Sequence, residues 1–420
     1  MTGDQITIFA ILGLTLALFI WNRWRYDIVS LLALLAVAGF GLVPGERIFA
    51  GFGHPAVVTV MAVLVLSRGL FLAGAVDSMA RALARVGRRP SIQAAVLTGI
   101  VALSSGVMNN AGALALLMPV AVWMSRQSGR SPSLLLMPLA FGSLLGGTLT
   151  MIGTPPNIII ASYREHTGAP PFGMFDFLPV GSATALAGLV FIALAGWRLT
   201  PKRIREGSKK LFRISDYLTE VRVPESSRLV GQPLHNLLSI AGIFGGALLL
   251  VLTRVLSARE AYAAIELPVI VLLAALIPLG EALETSGGAR LIAEELLTFA
   301  RGASPTAALA LLTAATMLLS NVVNNTAAAI LTAPIALGLA ERLGISADPL
   351  LMGVAIGASC AFLTPIGHQS NTLVMEPGGY RFGDYWRMGL PLSLLLLAVA
   401  VPLIPASGPS SRHSQLPTPN

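Results

Sequence analysis

Charge is scarce in this sequence. Only 11% of its 420 residues are Asp, Glu, Lys or Arg, against about 25% in an ordinary soluble domain. So little charge cannot cover a water-facing surface, and the 55% hydrophobic content points to lipid as the main solvent. Cysteine is scarcer still. Cys360 is the single one, which excludes an intrachain disulfide and a cysteine-based metal site. The net charge of +8 would suggest nucleic acid in a soluble protein, but no basic stripe interleaved with aromatics is present. Lys and Arg gather instead in loops, as expected of cytoplasmic segments. The bilayer, and no nucleic acid, is the expected partner.

Apolar runs free of charge recur at residues 6–20, 28–43, 91–107, 132–162, 180–196, 239–253 and 390–404. No positive stretch precedes the first run; Arg23 and Arg25 follow it. That pattern predicts a retained helix with its N-terminus outside. Residues 28–43 then run outward and 54–76 return, with 44–53 as an outer loop. Residues 77–89 carry Arg81, Arg85, Arg88 and Arg89 among Met79, Ala82, Leu83 and Val86, the pattern of an amphipathic helix lying in the cytoplasmic interface. Residues 91–124 are apolar but split by Asn109-Asn110, with positive charge at both ends. Each limb is shorter than the roughly 20 residues a span requires, which predicts a re-entrant helical hairpin. Residues 133–163 cross outward through breaks at Gly146-Gly147 and at Gly153-Thr154-Pro155-Pro156-Asn157, and 177–198 return to the basic run 202–213.

The second half repeats the first. Ser105-Gly-Val-Met-Asn-Asn110 reappears 215 positions later as Ser320-Asn-Val-Val-Asn-Asn325, and Pro119/Pro334, Met137/Met352 and Gly142/Gly357 keep that spacing. Gly153-Thr154-Pro155 is expected to match Leu363-Thr364-Pro365, 210 positions on after a five-residue deletion. The amphipathic residues 290–301 answer 77–86. The reading is an all-α polytopic membrane protein of two repeats, each with a re-entrant helical hairpin and a broken transmembrane helix. Residues 1–200 form the first repeat and 201–236 a basic cytoplasmic linker. Residues 237–405 form the second repeat and 406–420 a disordered tail.

Repeats that place two broken elements face to face are how many secondary transporters are built. Non-helical backbone at membrane depth must line a cavity or be buried in protein. A helix that starts there directs its positive dipole end inward and can hold an anion without a buried cation. Unwound carbonyls beside it, with Asn and Thr oxygens, suit a hard cation such as Na⁺. A single Asn pair in a membrane helix is ordinarily a helix–helix hydrogen bond, but here each copy stands nine residues before a Pro. His368, following Thr364-Pro365, is a further candidate for shaping the site. Neither break carries Asp, Glu or Lys, which disfavours a membrane-embedded enzyme and a proton antiporter.

These residues resemble the divalent anion/sodium symporter family, the dicarboxylate, citrate and sulfate carriers of the ion-transporter superfamily. The resemblance runs from about Ile6 to about Ile404. It is carried by Ile152-Gly-Thr-Pro-Pro-Asn157, by the two hairpin tips, and by Thr364-Pro-Ile-Gly-His-Gln-Ser-Asn371 with Pro377-Gly-Gly-Tyr-Arg-Phe-Gly-Asp-Tyr385. The last stretch is similar to the bacterial branch with TrkA-C (RCK) regulatory domains between its halves, of which residues 216–234 look like a remnant. The resemblance implies a secondary active anion transporter of the inner (plasma) membrane, Na⁺-coupled, homodimeric and moving as an elevator. It implies substrate contacts at Asn110, Ala111, Asn325, Thr326, Thr364 and Pro365. It implies one Na⁺ site at Ser105, Asn109, Asn110 and the Gly153 carbonyl, and another at Ser320, Val323, Asn325 and the Leu363 carbonyl. The sequence departs from the family's Ser-Asn-Thr signature, reading Asn109-Asn110-Ala111 and Asn324-Asn325-Thr326, which leaves sulfate and other oxyanions open.

The second half supplies no counterpart to residues 6–20, and the charged linker cannot span. The expectation is therefore that the second half is not a clean inverted copy, with residues 255–261 on the same face as 44–53. A cation/proton or arsenite-type antiporter, or a non-functional truncated permease, are the alternatives.

Overall fold

The computed structural model describes all residues except 22, 73–89, 166, 204–239, 254, 300–303 and 408–420. The amphipathic segment 77–89, the regulatory-domain remnant at 216–234, and the C-terminal tail therefore lie outside the described residues. Among the described residues the secondary structure is helical throughout, with no strand. In chain order the helices that position the site are α1 (Gly3–Trp21), α2 (Tyr26–Gly39), α3 (Pro55–Leu72), α4 (Pro90–Ser105), α5 (Asn110–Gln127), α6 (Ser133–Gly147), α7 (Pro155–Glu165) and α8 (Leu178–Phe191). They are followed by α9 (Ile240–Leu252), α10 (Ala258–Ala264), α11 (Leu267–Thr285), α12 (Gly288–Phe299), α13 (Pro305–Ser320), α14 (Asn325–Leu343), α15 (Asp348–Ser359), α16 (Gln369–Gly378) and α17 (Trp386–Ser407). Leu178–Leu199, Leu267–Thr285, Asn325–Leu343 and Trp386–Ala406 are long and apolar enough to cross a membrane.

Both Asn pairs break the chain where expected. At the first, α4 ends at Ser105 and α5 begins at Asn110, with the Asn109 side chain accepting the Ala111 N–H at 2.9 Å. The far ends of these limbs meet where Gln93 Nε2 donates to Ser128 Oγ at 3.2 Å, so the pair is a hairpin. At the second, Asn324 caps α14 by accepting the Ala327 N–H at 2.8 Å, and α14 packs on α13. Asn is a strong cap because its carbonyl replaces the missing partner of a first-turn N–H. Each hairpin's first limb lies along a buried helix that ends in a break, α4 on α6 and α13 on α15. Every residue of α6 is buried, which is why its sequence is apolar all round rather than on one stripe.

The halves interlock. α6 packs on α16, α15 on α7, α2 on α11, and α3 on α9. Two polar ties fasten the crossings. Arg164, at the end of α7, donates twice to Asp348, at the start of α15, at 2.8 Å each. Tyr380, beyond α16, accepts the Met137 N–H at 2.9 Å and donates to the Ser133 carbonyl of α6.

Two expectations are overturned. The turn at residues 50–53 packs against α11 and leads into the start of α3. Residues 255–261 lie instead at the other end of α3: Leu250 packs on Gly69, and Glu260 interacts electrostatically with Arg68. The two loops are thus at opposite ends of α3, so the same-face expectation fails. Counting charged linker residues fixed the parity of the chain wrongly. What joins α8 to α9 lies outside the described residues.

The second correction concerns register. Thr150 donates to the Gly106 carbonyl and Thr364 to the Asn321 carbonyl. Gly153 N donates to Thr150 Oγ1 and Gly367 N to Thr364 Oγ1, both at 3.2 Å. Asn157 Nδ2 donates to the carbonyls of Gly147 and Thr150, and Asn371 Nδ2 to those of Ala361 and Thr364. These equivalences hold at 215 positions in the hairpin and 214 in the break, a one-residue deletion in place of the five expected. They align Thr150-Met-Ile-Gly-Thr-Pro-Pro-Asn157 with Thr364-Pro-Ile-Gly-His-Gln-Ser-Asn371. The Thr-Pro dipeptides therefore do not correspond. Thr364 matches Thr150, and the residue answering Thr154 is His368.

Candidate functional site

The four elements converge on a buried centre. Asn110 opens α5 and Asn325 opens α14, while Thr154 precedes α7 and His368 caps α16 through Nδ1, which accepts the Ser370 N–H at 3.0 Å. Asn110 lies 3.3 Å from His368, and Asn325 Nδ2 lies 3.4 Å from Thr154 Oγ1. Each hairpin tip thus meets the break of the opposite half. All four residues are buried. Four helices aim their positive dipole ends here, and no Lys or Arg is among the contacts.

Around Asn110 the first half gathers oxygen. One end of its amide lies 2.5 Å from Ser105 Oγ and 3.1 Å from the carbonyl oxygens of Ser143 and Gly153. Ser105 Oγ donates to Ser143 O at 2.7 Å. With amide oxygen inward, four oxygens face one another, as ligands face a hard cation. With nitrogen inward, the amide donates to both carbonyls and to Ser105. The donor set is all neutral oxygen and fits Na⁺. Gly147 makes the room: a Cβ there would stand 2.5 Å from Asn110 Oδ1.

The second half is wired differently. Ser320 Oγ donates to Ala358 O at 2.5 Å, the counterpart of Ser105 and Ser143. Asn325 Oδ1 accepts the Thr326 N–H at 2.9 Å and faces the Thr326 hydroxyl at 3.4 Å. Asn321 Oδ1 accepts the Leu363 N–H at 2.6 Å. Val323 is a buried apolar side chain. Thr364 and Pro365 close the turn, Pro365 through a carbonyl that accepts the Thr372 hydroxyl at 2.7 Å. Of the residues singled out in the sequence, the structure brings together Ser105, Asn110 and Gly153, and separately Asn325 and Thr326. Asn109 caps the tip and its Nδ2 reaches Glu266, at the start of α11, at 3.4 Å. Ala111 is buried and contributes its N–H to that cap.

Sequence reasoning missed the Ser143 carbonyl, Glu266, and the central place of His368. A carbonyl carries no residue signal and Glu266 is remote in sequence. His368 was legible, since Thr-x-Ile-Gly with Asn at the eighth position occurs in both halves.

A helical hairpin and a broken helix from each half, with their ends gathered round a closed polar centre, define a membrane transporter. The chain belongs to the citrate transporter (CitMHS) family, whose model matches residues 16–341 and 229–415. It is 25% identical to an uncharacterized transporter, sll0640, of Synechocystis, over 94% of this chain and 95% of the relative. It is 23% identical to the uncharacterized transporter YfbS of Escherichia coli, over 96% and 99%. Over 49% of the chain, and 24% of the relative, it is 30% identical to a protein of Chlamydomonas reinhardtii named sodium/sulfate cotransporter 1. The fold matches the crystal structure of the Alcanivorax borkumensis YdaH transporter with a TM-score of 0.60, at 16% identity, over 93% of this chain and 98% of that one. The protein is therefore a multi-pass membrane transporter and not an enzyme.

Proposed function

We propose that this transporter carries small divalent anions, a dicarboxylate, citrate or sulfate, and that Na⁺ drives it. The observation that carries the proposal is the juxtaposition at Asn110. The cluster of Ser105, Asn110, Ser143 and Gly153 oxygens abuts the buried polar side chains of Thr154, Asn325, Thr326 and His368. Ser105, Asn110, Ser143 and Gly153 would hold the cation. Asn325, Thr326, Thr154 and His368 would bind the anion through neutral N–H and O–H groups at four helix starts. A bound cation adds the positive charge that this buried centre lacks, so each ion favours the other. Relatives named sodium/sulfate cotransporters support both halves of this reading.

The motion is of the elevator type. α4–α7 and α13–α16 form one block through the two polar ties, and α2, α3, α9 and α11 form the frame. The protein acts in the inner (plasma) membrane as a homodimer. The test is uptake of labelled sulfate, succinate and citrate into proteoliposomes, with and without an inward Na⁺ gradient. Uptake of at least one should require the gradient, and gradient-independent uptake of all three would refute the coupling.

A second reading, a proton-coupled antiporter, is favoured by two titratable groups at the first tip, Glu266 beside Asn109 and His368 beside Asn110. Alkalinisation of the vesicle lumen on adding Na⁺ outside, in the absence of any divalent anion, would select it.

A further inference from the structure

The Asn110 amide lies between two environments that only one of its orientations satisfies without a solute. On one side stand three oxygens, Ser105 Oγ, Ser143 O and Gly153 O; on the other stands His368 Nε2 at 3.3 Å. The tautomer of His368 is fixed by its own cap. Nδ1 accepts the Ser370 N–H at 3.0 Å, so in the neutral ring the proton sits on Nε2. With nitrogen toward the three oxygens, Asn110 donates to them and its oxygen accepts the His368 Nε2–H. Every group is paired and neither a cation nor an anion is needed. With oxygen toward them, four oxygens face each other, and two N–H donors, of Asn110 and His368, face each other across 3.3 Å. The first arrangement is complete without a solute; the second lacks both a cation among the oxygens and an acceptor between the two donors.

We propose that the Asn110 side-chain amide is the coupling element of this transporter, turning end for end between these two states. This rests on the Na⁺-coupled anion reading above. A cation at Ser105, Ser143 and Gly153 draws the amide oxygen to itself. The same rotation removes the acceptor from His368 and presents the Asn110 and His368 N–H groups together to an anionic oxygen. An anion that takes both donors in turn leaves the amide oxygen facing the cation pocket. No backbone movement is required, because the two ends of an amide have nearly the same shape.

The other tip cannot do this. Asn325 faces the Thr154 hydroxyl at 3.4 Å, a group that both donates and accepts and so tolerates either orientation. Its oxygen is held by the Thr326 N–H at 2.9 Å. The difference lies in one aligned position, where His368 stands for Thr154.

The test is a binding cycle on the purified full-length protein in nanodiscs, titrating Na⁺ calorimetrically with and without saturating sulfate, succinate or citrate. In the wild type at least one of these anions should tighten Na⁺ binding about tenfold or more. Na⁺ should tighten binding of that anion by the same factor, since coupling is reciprocal. In His368→Ala the shared factor should fall below about threefold. Na⁺ alone should bind as tightly as in wild type or more tightly, because the imidazole no longer competes for the amide oxygen. Ser370→Pro copies Pro156 at the aligned position and removes the N–H that pins the tautomer; it should lower the factor while keeping the imidazole, and serves if His368→Ala does not fold. A full coupling factor in both variants, with only weaker anion binding, would overturn the amide mechanism and leave the Na⁺ reading standing. Na⁺ and all three anions binding independently in the wild type would overturn that reading and the mechanism with it.

Discussion

The two breaks are built on one hydrogen-bond plan and end in different chemistry. In each, a Thr hydroxyl closes the turn on the hairpin carbonyl, a Gly N–H binds that hydroxyl, and an Asn seven residues on bridges two carbonyls. In both, the Asn oxygen is buried without a partner among the described residues. This shared part is scaffolding. The differences sit where tips and breaks meet: Gly147 against Ala361, Thr154 against His368, Ala111 against Thr326. Gly147 leaves space for the Asn110 amide beside three oxygens, and Ala361 puts a methyl in the equivalent place. The two turns therefore share one hydrogen-bond plan, while the side chains around Asn110 and Asn325 differ.

The largest effect expected from this comparison is on the ties. Asp348→Ala leaves Arg164 as a buried unpaired charge, which costs about 3–5 kcal/mol. Its counterpart, Tyr380→Phe, loses hydrogen bonds between neutral groups and costs about 1–3 kcal/mol. Thermal unfolding in detergent should rank them in that order; equal losses would mean that the two crossings are not fastened as described.

Next come the tips. Asn110→Ala and Asn325→Ala should each weaken uptake at limiting substrate about ten- to hundredfold, the loss of one hydrogen bond to a charged group being about 1.5–3 kcal/mol. Only Asn110→Ala should also raise the Na⁺ concentration needed for half-maximal uptake. An equal Na⁺ shift in Asn325→Ala would restore a second, symmetric cation site. Gly147→Ala gives the first half the residue of the second. Its methyl would strike the amide at 2.5 Å, and uptake should fall about tenfold or more through weakened Na⁺ binding. The reverse change, Ala361→Gly, should alter uptake by less than about threefold; a larger loss would place Ala361 in the solute path.

Much of this was legible in the sequence. Asn109-Asn110 and Asn324-Asn325 marked the hairpin tips because a doubled cap residue in an apolar run stops one helix and starts another. Gly146-Gly147 and the Thr-Pro stretches marked the broken helices because no lipid-facing helix would carry them. The register of the second break was misread because proline is conspicuous, and Thr154-Pro155 was set against Thr364-Pro365. The equivalence lies in which hydroxyl reaches which carbonyl, and Thr150 looks unremarkable until Gly106 is beside it. The orientation of residues 255–261 was misread because charge counting fixes only the loops that carry charge. The Ser143 carbonyl and the approach of Glu266 to Asn109 depend on distant segments meeting, which spacing does not encode.

The crossing of α6 onto α16 and of α15 onto α7 bears on how the protein is made. When the ribosome has delivered α6 and α7, the surfaces they will bury are still without their partners, which arrive about 200 residues later. At about 5–20 residues per second, Arg164 waits on the order of ten seconds or more for Asp348. Through that interval a guanidinium and two helix faces without their final cover must be held by lipid, water or the insertion machinery. Residues 348–384 therefore complete the first half as much as they belong to the second, and synthesis halted before them would yield a membrane-inserted chain open to degradation.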